Sequence, residues 1–111
     1  MSLTREKSGD TLVVATAGQI NSANAAELER TLLQWADEGD VKWVLDMSGV
    51  DYISSAGLRV VLLLAKRLKQ KSGRLVLCSL QPHVLEVFDI SGFLSILEVA
   101  DTREAAIGQM S

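Results

Sequence analysis

Cysteine, histidine and proline each occur once in this chain, and aromatic residues make up only 5% of its 111 residues. A lone cysteine excludes an internal disulfide, and one cysteine with one histidine is too small a ligand set for a zinc site. No run approaches the roughly 18 apolar residues that span a membrane, and residues 1–7 lack the apolar region of a secretion signal. We therefore expect a cytoplasmic protein with no cofactor and no direct contact with a membrane.

Positive charge is also scarce, because 11 basic residues face 14 acidic ones and the net charge is −3. Nucleic-acid binders usually carry a basic face that displaces counterions from phosphate, so no direct nucleic-acid partner is expected. The basic residues that do cluster lie where the central helix is predicted to end. They are Lys66, Arg67, Lys69, Lys71 and Arg74. We interpret them as a solvated helix end that complements the helix dipole, rather than as a binding patch.

What is present is typical of one globular domain over residues 1–111, with 48% hydrophobic and 23% charged residues. Apolar runs predict strands at residues 3–7, 12–17, 41–46, 74–79 and 95–99, the first two joined as a hairpin. Helical spacing predicts helices at residues 23–37, 55–70, 82–90 and 102–110, with Asn24 and Glu27 as a capping box. This alternation predicts an α/β fold: a mixed sheet of four to five strands with about four helices packed mainly on one face.

The loops that follow the strands are expected to gather at one edge of the sheet, at residues 18–22, 47–55 and 79–81. Ser55 is the most informative residue among them, since it lies between a strand and the most apolar helix. A serine at a helix start is commonly an N-cap. A phosphate added there would also be stabilised by the free N–H groups and the helix dipole. Position alone leaves both roles open.

Three segments together resemble the signature of STAS domains, and in particular of small stand-alone anti-sigma factor antagonists. They are Gly18-Gln19-Ile20-Asn21, Ser54-Ser55-Ala56-Gly57-Leu58 and Phe88-Asp89-Ile90-Ser91-Gly92-Phe93. The resemblance implies the STAS fold and a role in partner switching. An unphosphorylated antagonist binds an anti-sigma factor that is also a serine protein kinase of histidine-kinase-like fold. Phosphorylation of the antagonist releases it, and a serine phosphatase resets the switch.

By this resemblance Ser55 is the phosphate acceptor, and Ser54 occupies the place that usually holds an aspartate. Asn21 likewise stands where the family often has aspartate, so neither position offers a carboxylate. Gly18 and Asp46 are expected to support the site, with Asp46 orienting the Ser54 or Ser55 hydroxyl. The partner-binding residues implied are Asn21, Ser22, Ser54, Ser55, Ala56, Gly57, Leu58 and Arg59. The small residues Ala56 and Gly57 would let a nucleotide approach the hydroxyl or would serve tight packing.

A second function stays open within the same fold. Some stand-alone STAS proteins are subunits of lipid-transport ABC transporters, where they dock on the cytoplasmic ATPase without a phosphorylation cycle. A serine hydrolase is not expected, because the only histidine, His83, lies beside Pro82 at the predicted start of another helix. Cys78 is predicted to be a small buried hydrophobe. Phe88, Ile90, Phe93 and Leu94 are predicted to be core rather than an exposed patch.

Overall fold

The computed structural model describes residues 1–110, so Ser111, the last residue of the predicted domain, lies outside the described residues. The strands are β1 (Ser2–Ser8), β2 (Thr11–Ile20), β3 (Lys42–Ile53), β4 (Arg74–Cys78) and β5 (Glu98–Ala100). The helices are α1 (Ala25–Ala36), α2 (Ser55–Gln70), α3 (Pro82–Ile90) and α4 (Arg103–Gly108), with a 3₁₀ turn at Phe93–Ser95. The boundaries of α2 and α3 agree with the predicted residues 55–70 and 82–90.

The five strands form one sheet in the order β1-β2-β3-β4-β5. β1 pairs antiparallel with β2 as the predicted hairpin, and the other neighbours pair in parallel. A parallel pair needs a crossover, and a helix lies in each of the three connections between parallel strands. The predicted fold class, a mixed sheet with four helices, is confirmed.

The helices lie mainly on one face of the sheet, as predicted. Side chains from α1, α2 and α3 pack with the sheet in one apolar core that includes the fully buried Trp43, Leu64 and Phe88. The opposite face holds a smaller cluster, in which Ala106 and Met110 cover Val44 and Val76. β3 has buried residues in both clusters, which is why Trp43, Val44 and Leu45 form an unbroken apolar run.

The largest departure from the sequence prediction is the length of β2 and β3. We predicted that β3 would end at residue 46 and that residues 47–55 would form a loop, because Ser48, Gly49 and Asp51 favour turns. Instead β3 continues to Ile53 and pairs with the extended end of β2, through two register shifts. Gly49 is needed there, since an added Cβ would lie 2.7 Å from Ala17 Cβ. The predicted loops 18–22 and 47–55 are therefore largely strand.

The structure also tests the predicted burial of single side chains and the interpretation of the basic cluster. Cys78 and Phe88 are buried as predicted, and Phe93 and Leu94 are half-buried against the core. Ile90 was wrongly predicted as core, because it lies at the solvent side of the last turn of α3 with 78% of its surface exposed. In the basic cluster, Arg67 and Lys71 both pair with Asp37, Arg74 pairs with Glu98, and Arg67 and Lys69 lie in the last turn of α2 as the dipole argument requires.

Candidate functional site

The site residues are brought together by the far ends of β2 and β3. Gln19 pairs with Tyr52 and Ile20 with Ile53 in this last stretch of the parallel ladder. The Ser54 N–H then donates a 2.8 Å hydrogen bond to the Ile20 carbonyl, which extends the pairing past the end of β3. The Gly18-to-Asn21 segment and the start of α2 therefore share one edge, as the sequence predicted.

The N-cap of α2 is Ser54, not Ser55. The Ser54 hydroxyl accepts a hydrogen bond of 3.2 Å from the Gly57 N–H, and its backbone is extended at φ −86° and ψ 172°, as N-cap geometry requires. Ser55 is the first residue of the helix and is exposed. The alternative that Ser55 serves as the cap is thus wrong. Its hydroxyl is not needed for the helix start and is accessible to a partner.

The segment before α1 is held by two asparagines. Asn21 Oδ1 accepts from the N–H groups of Ala23 (2.9 Å) and Asn24 (3.2 Å). Asn24 Oδ1 accepts from the Asn21 N–H (3.0 Å), while its Nδ2 donates to the Gln19 carbonyl (2.8 Å). The predicted capping box does not form, because the Asn24 side chain turns back to the strand end rather than to the helix. Asn21 therefore shapes the loop and leaves the exposed Ser22 at its tip.

Gly57 and Leu58 face the core rather than the surface, which corrects two of the predicted partner-binding residues. Both are buried in the described structure. A Cβ at Gly57 would lie 2.6 Å from Ile20 Cγ2 and 2.8 Å from Ile53 Cγ1, so only glycine lets α2 approach the strand ends this closely. Between the two roles left open for Gly57, the structure supports tight packing.

The remaining predicted residues form the accessible part of the edge. Ser22, Ser55 and Arg59 are exposed, whereas Asn21, Ser54 and Ala56 are half-buried. Gly18 supports the edge from within β2 with φ +93°, and a Cβ there would lie 3.3 Å from Met1 Cα. We call the exposed and half-buried set the docking edge. It consists of Asn21, Ser22, Ser54, Ser55, Ala56 and Arg59.

Sequence reasoning missed the residues that flank the docking edge on β3 and α3. Tyr52 is 49% exposed in the last part of β3, where a loop was expected. The start of α3 holds the extended strand: Gln81 Nε2 donates to the Ser48 carbonyl at 2.9 Å, and His83 Nε2 hydrogen-bonds the Asp51 carbonyl. His83 is exposed as predicted. The apolar Val50 and Ile53 lie three residues apart, which is not the alternation typical of a strand, so no local pattern indicated that β3 continues.

Asp46 does not orient the serine hydroxyls, which corrects the predicted supporting role. Its side chain lies on the α4 side of the sheet, where Oδ2 accepts from Arg103 at 2.9 Å and Oδ1 accepts from the Ser48 N–H at 2.9 Å. Burial of Asp46, which is only 6% exposed, opposes ionisation. The hydrogen bonds from Ser48 and Arg103 outweigh burial, and the pKa of Asp46 lies below its ordinary value. Asp46 anchors α4 instead of serving the docking edge.

Residues 1–110 offer neither a metal-binding cluster nor a helix that could cross a membrane. No group of three or more histidine, cysteine, aspartate or glutamate side chains in this range is placed to hold a metal ion. Among the helices of the same range, none combines the length and apolarity needed to cross a membrane. Cys78 is a buried free thiol whose pKa is raised by burial, so it is a poor nucleophile.

Comparison with known proteins gives a consistent picture. The STAS domain family matches residues 2–106. A Bordetella bronchiseptica protein named as an anti-sigma factor antagonist, BtrV, is 58% identical over 106 residues, which cover 96% of this chain and 91% of the relative. The Bacillus subtilis anti-sigma-B factor antagonist is 30% identical over 95 residues, with 85% of each chain covered.

The solved structures agree on the fold. A Thermotoga maritima protein described as an anti-sigma factor antagonist superimposes with a TM-score of 0.91 at 21% identity, covering 96% of this chain and 92% of that one. The same α/β arrangement, the matched residues 2–106 and the 58% identity lead to one assignment. The chain belongs to the STAS domain family and, within it, to the anti-sigma factor antagonists.

Proposed function

We propose that this protein works by partner switching: unphosphorylated, it binds a histidine-kinase-like anti-sigma factor through the docking edge, and phosphorylation of Ser55 by that factor releases it. The main support for the proposal is that two adjacent serines have different structural roles. Ser54 caps α2, and this leaves Ser55 exposed in the first turn of the helix. The 58% identity to a protein named as an anti-sigma factor antagonist supports the same function.

The phosphoryl transfer needs a base that the docking edge does not supply. In the proposed step the Ser55 oxygen bonds to the γ-phosphorus of ATP, the bond from that phosphorus to the ADP oxygen breaks, and the hydroxyl proton leaves. The side chains at positions 54 and 21 are a serine and an asparagine, which cannot accept that proton at neutral pH. The kinase therefore provides the base and the metal-bound nucleotide, and this chain provides the positioned hydroxyl.

Phosphorylation would change the charge of the docking edge without disturbing the core beneath it. A phosphate adds about −1.5 to −2 charges at pH 7. The first turn of α2 holds no acidic residue, so the helix start tolerates the phosphate within the free protein. In a closed interface the same group must lose its water and faces any acidic group of the partner. A cost of a few kcal/mol there lowers affinity by orders of magnitude. A serine phosphatase, which hydrolyses the phosphoester with water, restores the hydroxyl.

The first test is capture of the partner with a Ser55→Ala bait in the source bacterium, followed by mass spectrometry. The variant cannot be phosphorylated and should retain its partner. Ser8→Ala is the matched control, because Ser8 is an exposed serine at the opposite end of the sheet from the docking edge. A histidine-kinase-like ATPase enriched on Ser55→Ala over Ser8→Ala supports the proposal. Recovery of a transporter ATPase with its permease would overturn it and assign the chain to the transport subunits.

A second test uses the captured kinase with ATP and purified protein. Wild type and Ser8→Ala should each gain one phosphate on residue 55, and the phosphorylated form should bind the kinase at least tenfold more weakly. Equal affinity of the two forms would contradict partner switching even if phosphorylation occurs.

A further inference from the structure

Arg59 is the cation closest in sequence to the proposed phosphate acceptor on α2. Ser55 and Arg59 are four residues apart in one continuous helix, and both are exposed. Side chains at this spacing lie on the same face, with Cβ atoms about 5–6 Å apart. The flexible arginine side chain easily covers that distance, so a group added to the Ser55 hydroxyl falls within its reach.

Arg59 is also free to respond. Within residues 1–110 its guanidinium forms no ion pair, whereas four of the five other arginines are each paired with a carboxylate. These pairs are Arg5 with Glu38, Arg67 with Asp37, Arg74 with Glu98, and Arg103 with Asp46 and Glu6. The first turn of α2 contains no acidic residue that would compete for Arg59 on its own helix.

We propose that Arg59 binds the phosphoryl group of phosphorylated Ser55 within the same chain, and that phosphorylation thereby withdraws the Arg59 guanidinium from the docking edge. This inference rests on the proposed function, since it concerns the same acceptor. A guanidinium matches a phosphate with two parallel N–H···O bonds. The order of the pair is favourable, because the anion precedes the cation along the helix.

The consequence is that one modification alters two charges of the docking edge. The phosphate adds negative charge, and the only cation among the residues of that edge is engaged by it. A partner that uses Arg59 to bind the unphosphorylated form loses that contact at the moment it meets the phosphate. Phosphorylation then lowers the affinity for the partner by more than the phosphate charge alone would.

The test is a ³¹P NMR titration of protein that carries phosphoserine at position 55, installed during expression by an expanded genetic code. A nearby cation favours the dianionic phosphate and lowers its second pKa, so Arg59→Gln should raise that pKa by about 0.2–0.4 pH units. Arg59→Lys should recover part of the shift. Lys69→Gln is the matched control, because it removes an exposed cation of the same helix that lies about 21 Å from Ser55 along the helix axis.

The other titratable side chains near this edge are unchanged in all four proteins and cancel in the comparison. They are Glu27 on α1, Asp51 and Tyr52 on β3, and His83 on α3. Coincident titrations of wild type and Arg59→Gln, with equal helical content by circular dichroism, would overturn the inference. No kinase is present in this experiment, so its result is separate from the capture experiment: a missing kinase would defeat the proposed function and leave the titration as it stands.

Discussion

On one face of the sheet three helices bury a continuous apolar layer, whereas the six-residue α4 covers part of the other face. The α4 side of the sheet, which we call the smaller face because its apolar cluster is smaller, is also held by ion pairs. Arg103 pairs there with Asp46 on β3 and with Glu6 on β1. α2, whose first turn carries Ser55, lies on the larger face. The helix start at which we propose phosphorylation therefore rests on the apolar core that three helices share. In the proposed switch the added charge would lie at the surface and would leave that core packed.

The largest expected effect comes from a pair of truncations, one on each face. Leu64→Ala leaves a cavity beneath α2, where Leu64 is fully buried, and should lower the free energy of unfolding by about 2–5 kcal/mol. Ile107→Ala removes a half-buried side chain of α4 and should cost about 1 kcal/mol. Urea unfolding at pH 7 measures both. Equal losses would show that the two faces of the sheet contribute alike to stability.

Removing the charged anchor of the smaller face should have the next largest effect. Arg103→Gln leaves the buried Asp46 carboxylate without its cation and should cost about 2 kcal/mol at pH 7. The figure is below that of a fully buried pair because the Arg103 side chain is 33% exposed. Glu6→Gln is the control, since it removes only the exposed arm of the network and should cost less than about 0.5 kcal/mol.

The same variant should change the response to acid. The folded-state pKa of Asp46 lies below its ordinary value of 3.8, so its contribution to stability is present above that pH and is lost as pH falls through the folded pKa. Wild type should therefore lose more stability than Arg103→Gln between pH 5 and about pH 3, and the difference between the two proteins should shrink. A difference that stays constant with pH would show that the loss is one of packing instead of charge.

Beneath the docking edge, where Gly57 is buried, Gly57→Ala should cost about 1–2 kcal/mol. The added methyl group meets branched atoms of Ile20 and Ile53, which cannot move without displacing the strand ends, and the gain in helix propensity offsets only part of this. Gly108→Ala is the matched control, because nothing lies within 4 Å of a Cβ at that helical position. If Gly57→Ala left stability unchanged, the start of α2 would be free to shift and would not be firmly packed against the strand ends.

The smallest effect is expected for Ser54→Ala, which removes the N-cap hydrogen bond and should cost about 1 kcal/mol. Ser55→Ala should change stability by less than about 0.5 kcal/mol, since Ser55 is exposed and makes no cap. Thermal unfolding of the two variants side by side measures the difference. If Ser55→Ala were the more destabilised, the assignment of separate roles to the two serines would fail.

Much of the fold was predictable because the local signals agreed with the tertiary outcome. The apolar stripe of α2 and the proline at the start of α3 placed both helices at their observed boundaries. The end of β3 was not predictable, because Ser48, Gly49 and Asp51 have the composition of a turn. Pairing with β2 overrides that local preference, and the two register shifts that make it possible depend on contacts distant in sequence.

The site was predictable as a location but not in its details. The sequence placed Ser54 and Ser55 before α2, yet either serine could cap a helix, and only the backbone position decides between them. Asp46 was expected to support the serines because it ends the apolar run of β3. The alternation of the strand instead directs it to the α4 side, where a residue 57 positions later in the sequence binds it. Contacts of such range leave no local pattern to detect.

The close approach of Gly18 to Met1 has a practical consequence. β1 runs antiparallel to β2, so its first residues lie beside Ala17 and Gly18, at the end of the sheet that carries the docking edge. Any affinity tag or fluorescent fusion joined ahead of Met1 would leave the molecule next to the surface that a partner has to reach. Tags and fluorescent proteins should therefore be attached elsewhere on this protein, since a fusion at the amino terminus would obstruct the docking edge.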